Sequence, residues 1–209
     1  MLSKTKKIHF IGIGGIGMSG IAELLHSLKF IITGSDLRKS DRTLYLSKLG
    51  IDINIGHSYK NINNHDLVVY SSAIQLDNVE IIESQNKSIP IIRRAEMLAE
   101  LLKLKETSIA ISGTHGKTTT CSMLASILFE AKLNPTLVIG GIVNNFGSNA
   151  VSGKGDIIVV EADEFDRSFL SLRPNMGIIN NLDFEHTDCY KDIDDVKNTF
   201  LKFANALPF

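Results

Sequence analysis

Residues able to do phosphate chemistry concentrate at two places in this 209-residue chain, each a glycine turn set between an apolar run and a helical stretch. The sharper of them is Gly113-Thr-His-Gly-Lys-Thr-Thr-Thr120, preceded by a short apolar strand over 109–112 and followed by a helix over 117–132. Backbone N–H groups in the first turn of a helix lack partners inside it, so a phosphate satisfies them and the helix dipole favours its charge. Lys117 adds a positive charge, and Thr118 offers a hydroxyl where a magnesium ion bridging phosphates takes an oxygen. Gly113, Thr114, His115, Gly116 and Thr119 complete the expected nucleotide contacts. The general P-loop spacing is G-x-x-x-x-G-K-[ST], but Ile111 stands five residues before Gly116 and the nearer glycine is Gly113. The loop is therefore a shortened one.

A second set of residues carries the acids such a loop needs. The apolar run 157–160 leads into Glu161-Ala-Asp-Glu-Phe-Asp166, and an acid at the end of a buried strand is how a carboxylate comes to hold magnesium opposite a P-loop threonine. Glu161, first of the four acids, is the expected metal ligand. Another strand, 176–179, exits into Asn180-Asn-Leu-Asp-Phe-Glu-His186, where His186 is placed to join a second magnesium or order its waters. His186 and Cys189 stand three apart, but zinc lacks a second pair of ligands.

The other glycine turn, Gly12-Ile-Gly-Gly-Ile-Gly17, lies between a strand over 8–13 and a helix over 18–28, the context that gives G-x-G-x-x-G its meaning. A strand over 30–33 then ends at Gly34-Ser-Asp36, with Asp36 19 residues beyond Gly17 and placed to hydrogen-bond a ribose or a base. This reads as a Rossmann-like half that binds a nucleotide diphosphate; by the fingerprint alone the ligand would be NAD.

The elements that position these groups alternate. After the helix 40–49 come strands at 51–55 and 67–70, a helix at 79–86, a strand at 89–92 and a helix at 94–102. Strand and helix by turns predict a parallel sheet with helices on both faces, and ligands in such sheets sit at the carboxyl ends of strands. That rule gathers the glycine loop, Asp36, His57 and Ser71-Ser72-Ala73 into one candidate site, with Arg93 and Arg94 opening the helix 94–102 where one could reach a phosphate. The polar link 103–107 marks the domain boundary, giving a Rossmann-like domain over 1–105 and an ATP-binding domain over 106–209. The second domain restarts with strand 109–112 and helix 117–132, continues through strand 136–139, and passes a looser glycine- and asparagine-rich segment to Gly155 before strand 156–160. An amphipathic helix over 194–207 closes it.

Composition bounds the rest. With 44% hydrophobic and 22% charged residues the chain is ordinary globular material. A formal net charge of −1, with no long basic run, argues against a nucleic-acid or membrane face and for small anions held locally. Cys121 and Cys189 alone make no disulfide framework and fit a cytoplasmic setting. The basic start and apolar stretch of residues 1–25 outline a signal peptide, but His9, Glu23 and five glycines between Gly12 and Gly20 contradict it. No run reaches the ~18 apolar residues of a membrane span.

Together these motifs resemble the ATP-dependent Mur ligases of peptidoglycan precursor synthesis. The likeness runs through the first glycine loop to Gly20, Gly34-Ser-Asp36, Ser71-Ser-Ala73, Arg93-Arg-Ala-Glu-Met97, the loop 113–120, Glu161-Ala-Asp-Glu164 and Ser168-Phe-Leu170, and in this family the shortened P-loop is the rule. The resemblance implies an α/β chain in which a Rossmann-like parallel sheet domain precedes an incomplete P-loop ATPase-like domain. It implies UDP-N-acetylmuramate and L-alanine as substrates, ATP and Mg2+ as cofactors, and an acyl phosphate between them. Gly14, Gly15, Ile16 and Gly17 would face the pyrophosphate, with Asp36, Ser71, Ser72 and Ala73 near the uridine. Lys117 and Thr118 would serve ATP and magnesium, and Glu161 and His186 the metal sites. The family pattern continues into a C-terminal domain, so the 209 residues are expected to be inactive alone. The exit 180–186 also resembles a related ligase that recycles murein tripeptide, and a UDP-sugar or NAD module without ligase chemistry is the remaining alternative.

Overall fold

The computed structural model describes residues 2–143 and 148–208. The expected loose segment falls partly on residues 144–147, which lie outside the described residues. Packing divides the chain between Met97 and Leu98 into two compact units. That division falls within the helix over 94–102, ahead of the polar link 103–107.

In the first unit, strands β1 (Lys7–Ile11), β2 (Ile31–Asp36), β3 (Asp52–Ile55), β4 (Leu67–Tyr70) and β5 (Ile91–Arg93) form one sheet in the order β3-β2-β1-β4-β5. Every pairing in it is parallel. Central β1 buries Ile8, Phe10 and Ile11, the near-continuous apolar run that a strand covered on both faces requires. The order reverses between β2 and β4, on either side of β1, which opens a crevice at the carboxyl ends of these strands. Helix α1 (Ile16–Ser27) packs Met18, Ile21, Ala22 and Leu25 inward at helical spacing. Helix α2 (Asp41–Lys48) starts at a capping box between Ser40 and Thr43. Helix α3 (Val79–Asn86) starts at Asn78, whose side chain accepts from Glu80 N–H, and α4 (Arg94–Leu102) follows β5 without a break.

The second unit holds β6 (Thr107–Ser112), α5 (Lys117–Glu130), β7 (Thr136–Val143), β8 (Ser148–Val151), β9 (Ile157–Glu161), β10 (Met176–Ile179) and α6 (Ile193–Ala204), with strand order β10-β6-β9-β7-β8. Ile109, Ile111, Leu137, Ile139 and Val159 of the sheet meet Cys121, Ala125 and Leu128 of α5 in one core. Burial pushes the Cys121 thiol up, so it serves as a small apolar side chain. Strand β8 departs from the sequence expectation. It runs antiparallel to β7 as an edge strand, where the sequence read as loose. Asn and Gly are poor strand formers, and pairing with β7 outweighs that local preference. Helix α6 stops at Ala204 rather than 207, because Leu207 turns back over Gly177 of β10, where a Cβ would meet Leu207 Cδ1 at 2.7 Å. Phe200 and Phe203 of α6 pack at 5.1 and 5.0 Å on Phe169, holding the helix to the segment after β9. Among the described residues no helix is long and apolar enough to cross a membrane.

Candidate functional site

In the second unit, β6 delivers the chain to Gly113, whose φ of +127° is open only to glycine, and Gly116 at φ +78° begins α5 without any side-chain cap. The exit of β10 braces this turn because β10 lies directly beside β6. Asn181 O accepts from Thr114 N–H at 3.2 Å and Asn181 Oδ1 from His115 N–H at 2.9 Å. Asn180 and Asn181 both donate to His115 O, at 3.1 and 3.2 Å.

Lys117 Nζ donates to Gly113 O at 2.7 Å and to both oxygens of Glu164 at 2.9 and 3.0 Å. Thr118 Oγ1 donates to Glu161 at 3.0 and 3.2 Å, and Glu161 also accepts from Gly140 N–H at 2.9 Å. Glu161 reaches this position because it ends β9 in register with Ile111 of β6. Residues Thr114 to Thr119 and Glu161 thus line one cleft of about 380 Å³. Gly113 lies behind it, against Asn180.

The sequence did not reveal Glu164 as the partner of Lys117. The backbone of Glu164 accepts from Tyr190 Oη at 2.7 Å, and Arg167 lies over the Tyr190 ring while pairing with Asp195 at 2.6 Å. Burial, helped by nearby acids against Arg167, pushes the Tyr190 phenol up to about 12, so it remains a donor. His186 has its carboxylate contact at Glu164, at 3.5 Å, and stands edge-on to Phe165. His186 itself sits in a left-handed turn, at φ +57°.

As a metal site, Thr118 and Glu161 offer a hydroxyl and a carboxylate side by side, the hard oxygen donors a magnesium ion takes when phosphates and water fill its other positions. Among the described residues no group of three or more His, Cys, Asp and Glu side chains is arranged to hold a metal by itself. The residues therefore fit a metal that arrives with a phosphate ligand.

In the first unit a cleft of about 360 Å³ lies at the crevice of the sheet, and its wall includes Gly14, Gly15, Asp36, His57, Ser71 and Ala73. Asp36 Oδ2 accepts from Gly14 N–H at 2.8 Å, tying the glycine loop to the tip of β2. Ile16, Gly17 and Ser72 are not part of that wall. Gly17 instead faces the guanidinium of Arg94, so the start of α1 and this arginine lie together.

A buried carboxylate behind this cleft, Glu80, went unread in the sequence. It has no exposed surface and accepts from Asn61 Nδ2 at 2.6 Å, Ser58 N–H at 3.2 Å and Ser35 Oγ at 2.5 Å. Burial would raise its pKa, but nearby His9 and hydrogen bonds from Ser35 and Asn61 outweigh that and hold it at about 2. The one available signal was His9, a polar residue inside an apolar strand, which needs a buried partner.

The chain matches two families along its length: "Mur ligase family, catalytic domain" over residues 7–106 and "Mur ligase middle domain" over 111–209. It is 54% identical over 209 residues to the UDP-N-acetylmuramate–L-alanine ligases of Syntrophus aciditrophicus and Geotalea uraniireducens. All of this chain aligns with 43% and 45% of those two proteins, so it spans less than half their length. Among solved structures, the UDP-N-acetylmuramate-alanine ligase MurC of Thermotoga maritima is 36% identical with a TM-score of 0.87, over 96% of this chain and 47% of that one. The UDP-N-acetylmuramate:L-alanyl-gamma-D-glutamyl-meso-diaminopimelate ligase of Neisseria meningitides is 30% identical with a TM-score of 0.89, over 98% of this chain and 69% of that one.

Proposed function

The chain belongs to the Mur ligase family, and from that premise we propose that it supplies the sugar-nucleotide and ATP sites of a ligase that joins L-alanine to UDP-N-acetylmuramate. The observation carrying this reading is that Lys117, Thr118 and Glu161 line a single cleft at the start of α5. There the triphosphate of ATP takes the first-turn N–H groups of α5 and the charge of Lys117, which exchanges Glu164 for phosphate oxygens. Thr118 and Glu161 would hold Mg2+, which supplies neutralisation of the phosphate charge when bound.

The sugar nucleotide belongs to the cleft of the first unit, its diphosphate at Gly14 and Gly15 and its nucleoside toward Asp36, Ser71 and His57. The muramyl carboxylate oxygen attacks the γ-phosphorus, ADP leaves, and an acyl phosphate remains. The amine of alanine then attacks the acyl carbon, phosphate departs, and the amine proton is lost as the amide forms. Two anions must meet in the first step, so positioning and charge neutralisation by Lys117 are the expected source of rate.

Relatives at 54% identity carry alanine in their names, against 30% for the ligase named for a longer peptide, and this favours alanine as acceptor. The free thiols Cys121 and Cys189 suit the cytoplasm, where we place the reaction. Calorimetric titration of the chain with UDP-N-acetylmuramate, Mg-ATP and NAD tests the assignment. Saturable binding of the first two supports it. Binding of NAD alone would replace it with a dinucleotide-binding module.

A further inference from the structure

Lys117 has no hydrogen to spare for a phosphate. An ammonium carries three, and here they meet Gly113 O at 2.7 Å, the carboxylate of Glu164 at 2.9 and 3.0 Å and, more loosely, Thr114 O at 3.3 Å. Phosphate oxygens reach Lys117 only by taking the place of one of these acceptors. Glu164 alone among the three carries a full charge, so it holds the cation hardest and also cancels the charge that draws a phosphate.

Glu164 is in turn held from two later segments. Its backbone carbonyl accepts from Arg167 N–H at 3.0 Å, closing a turn in which Arg167 takes the left-handed φ of +59°, and from Tyr190 Oη at 2.7 Å. Tyr190 is buried, and its ring lies 4.8 Å from the guanidinium carbon of Arg167. That guanidinium donates to both oxygens of Asp195, in the first turn of α6, at 2.6 and 3.1 Å, and to Cys189 O at 2.7 Å. The carboxylate that restrains Lys117 is thus tied through Tyr190 and Arg167 to the start of α6, while the cleft wall itself is made by Thr114 to Thr119 and Glu161.

We infer that Tyr190 and Arg167 are positioning residues that set the ATP affinity of the phosphate loop from outside its cleft, by holding Glu164 against Lys117. The inference rests on the proposed reading of this cleft as the ATP site. The direction of the effect separates it from a role in folding alone. A damaged fold binds nucleotide more weakly, whereas a loosened competitor lets it bind more tightly. Without the carboxylate, the enclosed charge of Lys117 is left uncompensated and phosphate becomes its partner. Tyr190→Phe keeps the ring beside Arg167 and deletes only Oη, leaving the carbonyl of Glu164 to Arg167 N–H.

Calorimetric titration of the 209-residue chain with Mg-ATP provides the test. Glu164→Gln should bind about tenfold more tightly than the parent, about 1.4 kcal/mol, because a charge-assisted contact no longer has to be exchanged. Tyr190→Phe should bind about threefold more tightly, the smaller effect of one neutral hydrogen bond. Arg167→Lys, which gives up the two-pronged contact with Asp195, should move affinity the same way. Adding Tyr190→Phe to Glu164→Gln or to Lys117→Ala should change nothing further, since one pair carries the whole effect. Thermal melting identifies the folded variants, and if Glu164→Gln does not fold, Tyr190→Phe with and without Lys117→Ala decides the matter. Equal or weaker binding by the folded variants overturns the inference and leaves the ATP reading intact. A gain from Tyr190→Phe that persists without Lys117 also overturns it, because the effect then bypasses the pair. A parent chain that binds no Mg-ATP overturns the ATP reading and the inference together.

Discussion

Lys117 Nζ lies 2.9 Å from the carboxylate of Glu164, with the two side chains 13% and 2% exposed. An enclosed pair of this kind holds the lysine beside the place where phosphate would bind, and phosphate oxygens then compete with Glu164 for the same cation. Removing the cation therefore costs twice, through the lost phosphate contact and through a buried carboxylate left unpaired.

Lys117→Ala should weaken Mg-ATP binding about tenfold or more, the effect of losing a charge-assisted hydrogen bond worth about 1.5–3 kcal/mol. Calorimetry on the variant and the parent chain measures it. Affinity within twofold of the parent would remove Lys117 from the phosphate site. The same variant should also melt at lower temperature than the parent, and Mg-ATP should widen the gap, because the parent binds it more tightly and gains more stability from it.

Magnesium should matter only through Thr118 and Glu161. In the parent chain, adding a chelator should lower ATP affinity, whereas in Thr118→Val and Glu161→Gln the chelated and magnesium-loaded affinities should converge. His186→Ala should keep the magnesium increment, because its carboxylate contact is Glu164 rather than Glu161. A loss of the increment in His186→Ala would return that residue to the metal.

Much of this arrangement was legible because it follows from local spacing. Gly113, Gly116, Lys117 and Thr118 sit between an apolar strand and a helix, and Glu161 ends an apolar run, so each could be placed from its neighbours alone. Strands 67–70 and 176–179 and helices 79–86 and 94–102 likewise fall where their periodicity put them. What stayed hidden depends on pairing across the chain. Strand β8 exists because β7 offers it an edge, against its own composition. Glu80 occupies a helix first turn, where an acid is ordinary, and only the fold brings His9 and Ser35 to it. The bracing by Asn180 and Asn181 follows from β10 lying beside β6, and a polar strand exit does not announce its neighbour.

Acid should destabilise the first unit in two steps. The His65 pKa is lowered from 6.5 to about 4 in the folded chain, so the unfolded chain binds the proton first and stability falls as pH drops from 6.5 toward 4. For Glu80 the folded value is lowered from 4.5 to about 2, so its contribution is complete above 4.5 and is lost as pH falls toward 2. Denaturant midpoints across this range should show both slopes in the parent, with the upper one flattened in His65→Gln and the lower one in Glu80→Gln. A parent chain equally stable at pH 7 and pH 4 would contradict the His65 assignment.

Asn181→Ala separates the shape of the phosphate loop from its charge. Its side chain accepts from His115 N–H and donates to His115 O, while its backbone carbonyl, which the substitution keeps, accepts from Thr114 N–H. Two lost hydrogen bonds at about 1 kcal/mol each leave the loop to be ordered by the nucleotide itself, so ATP affinity should fall several-fold to about thirtyfold. Lys117, Thr118 and Glu161 are untouched by this change, so the magnesium increment should persist at its parental size. Hydrogen exchange at His115 should accelerate in the free variant and slow again when Mg-ATP is added. Unchanged exchange at His115 together with unchanged affinity would show that the loop holds its shape through Gly113 and Gly116 without help from the strand beside it.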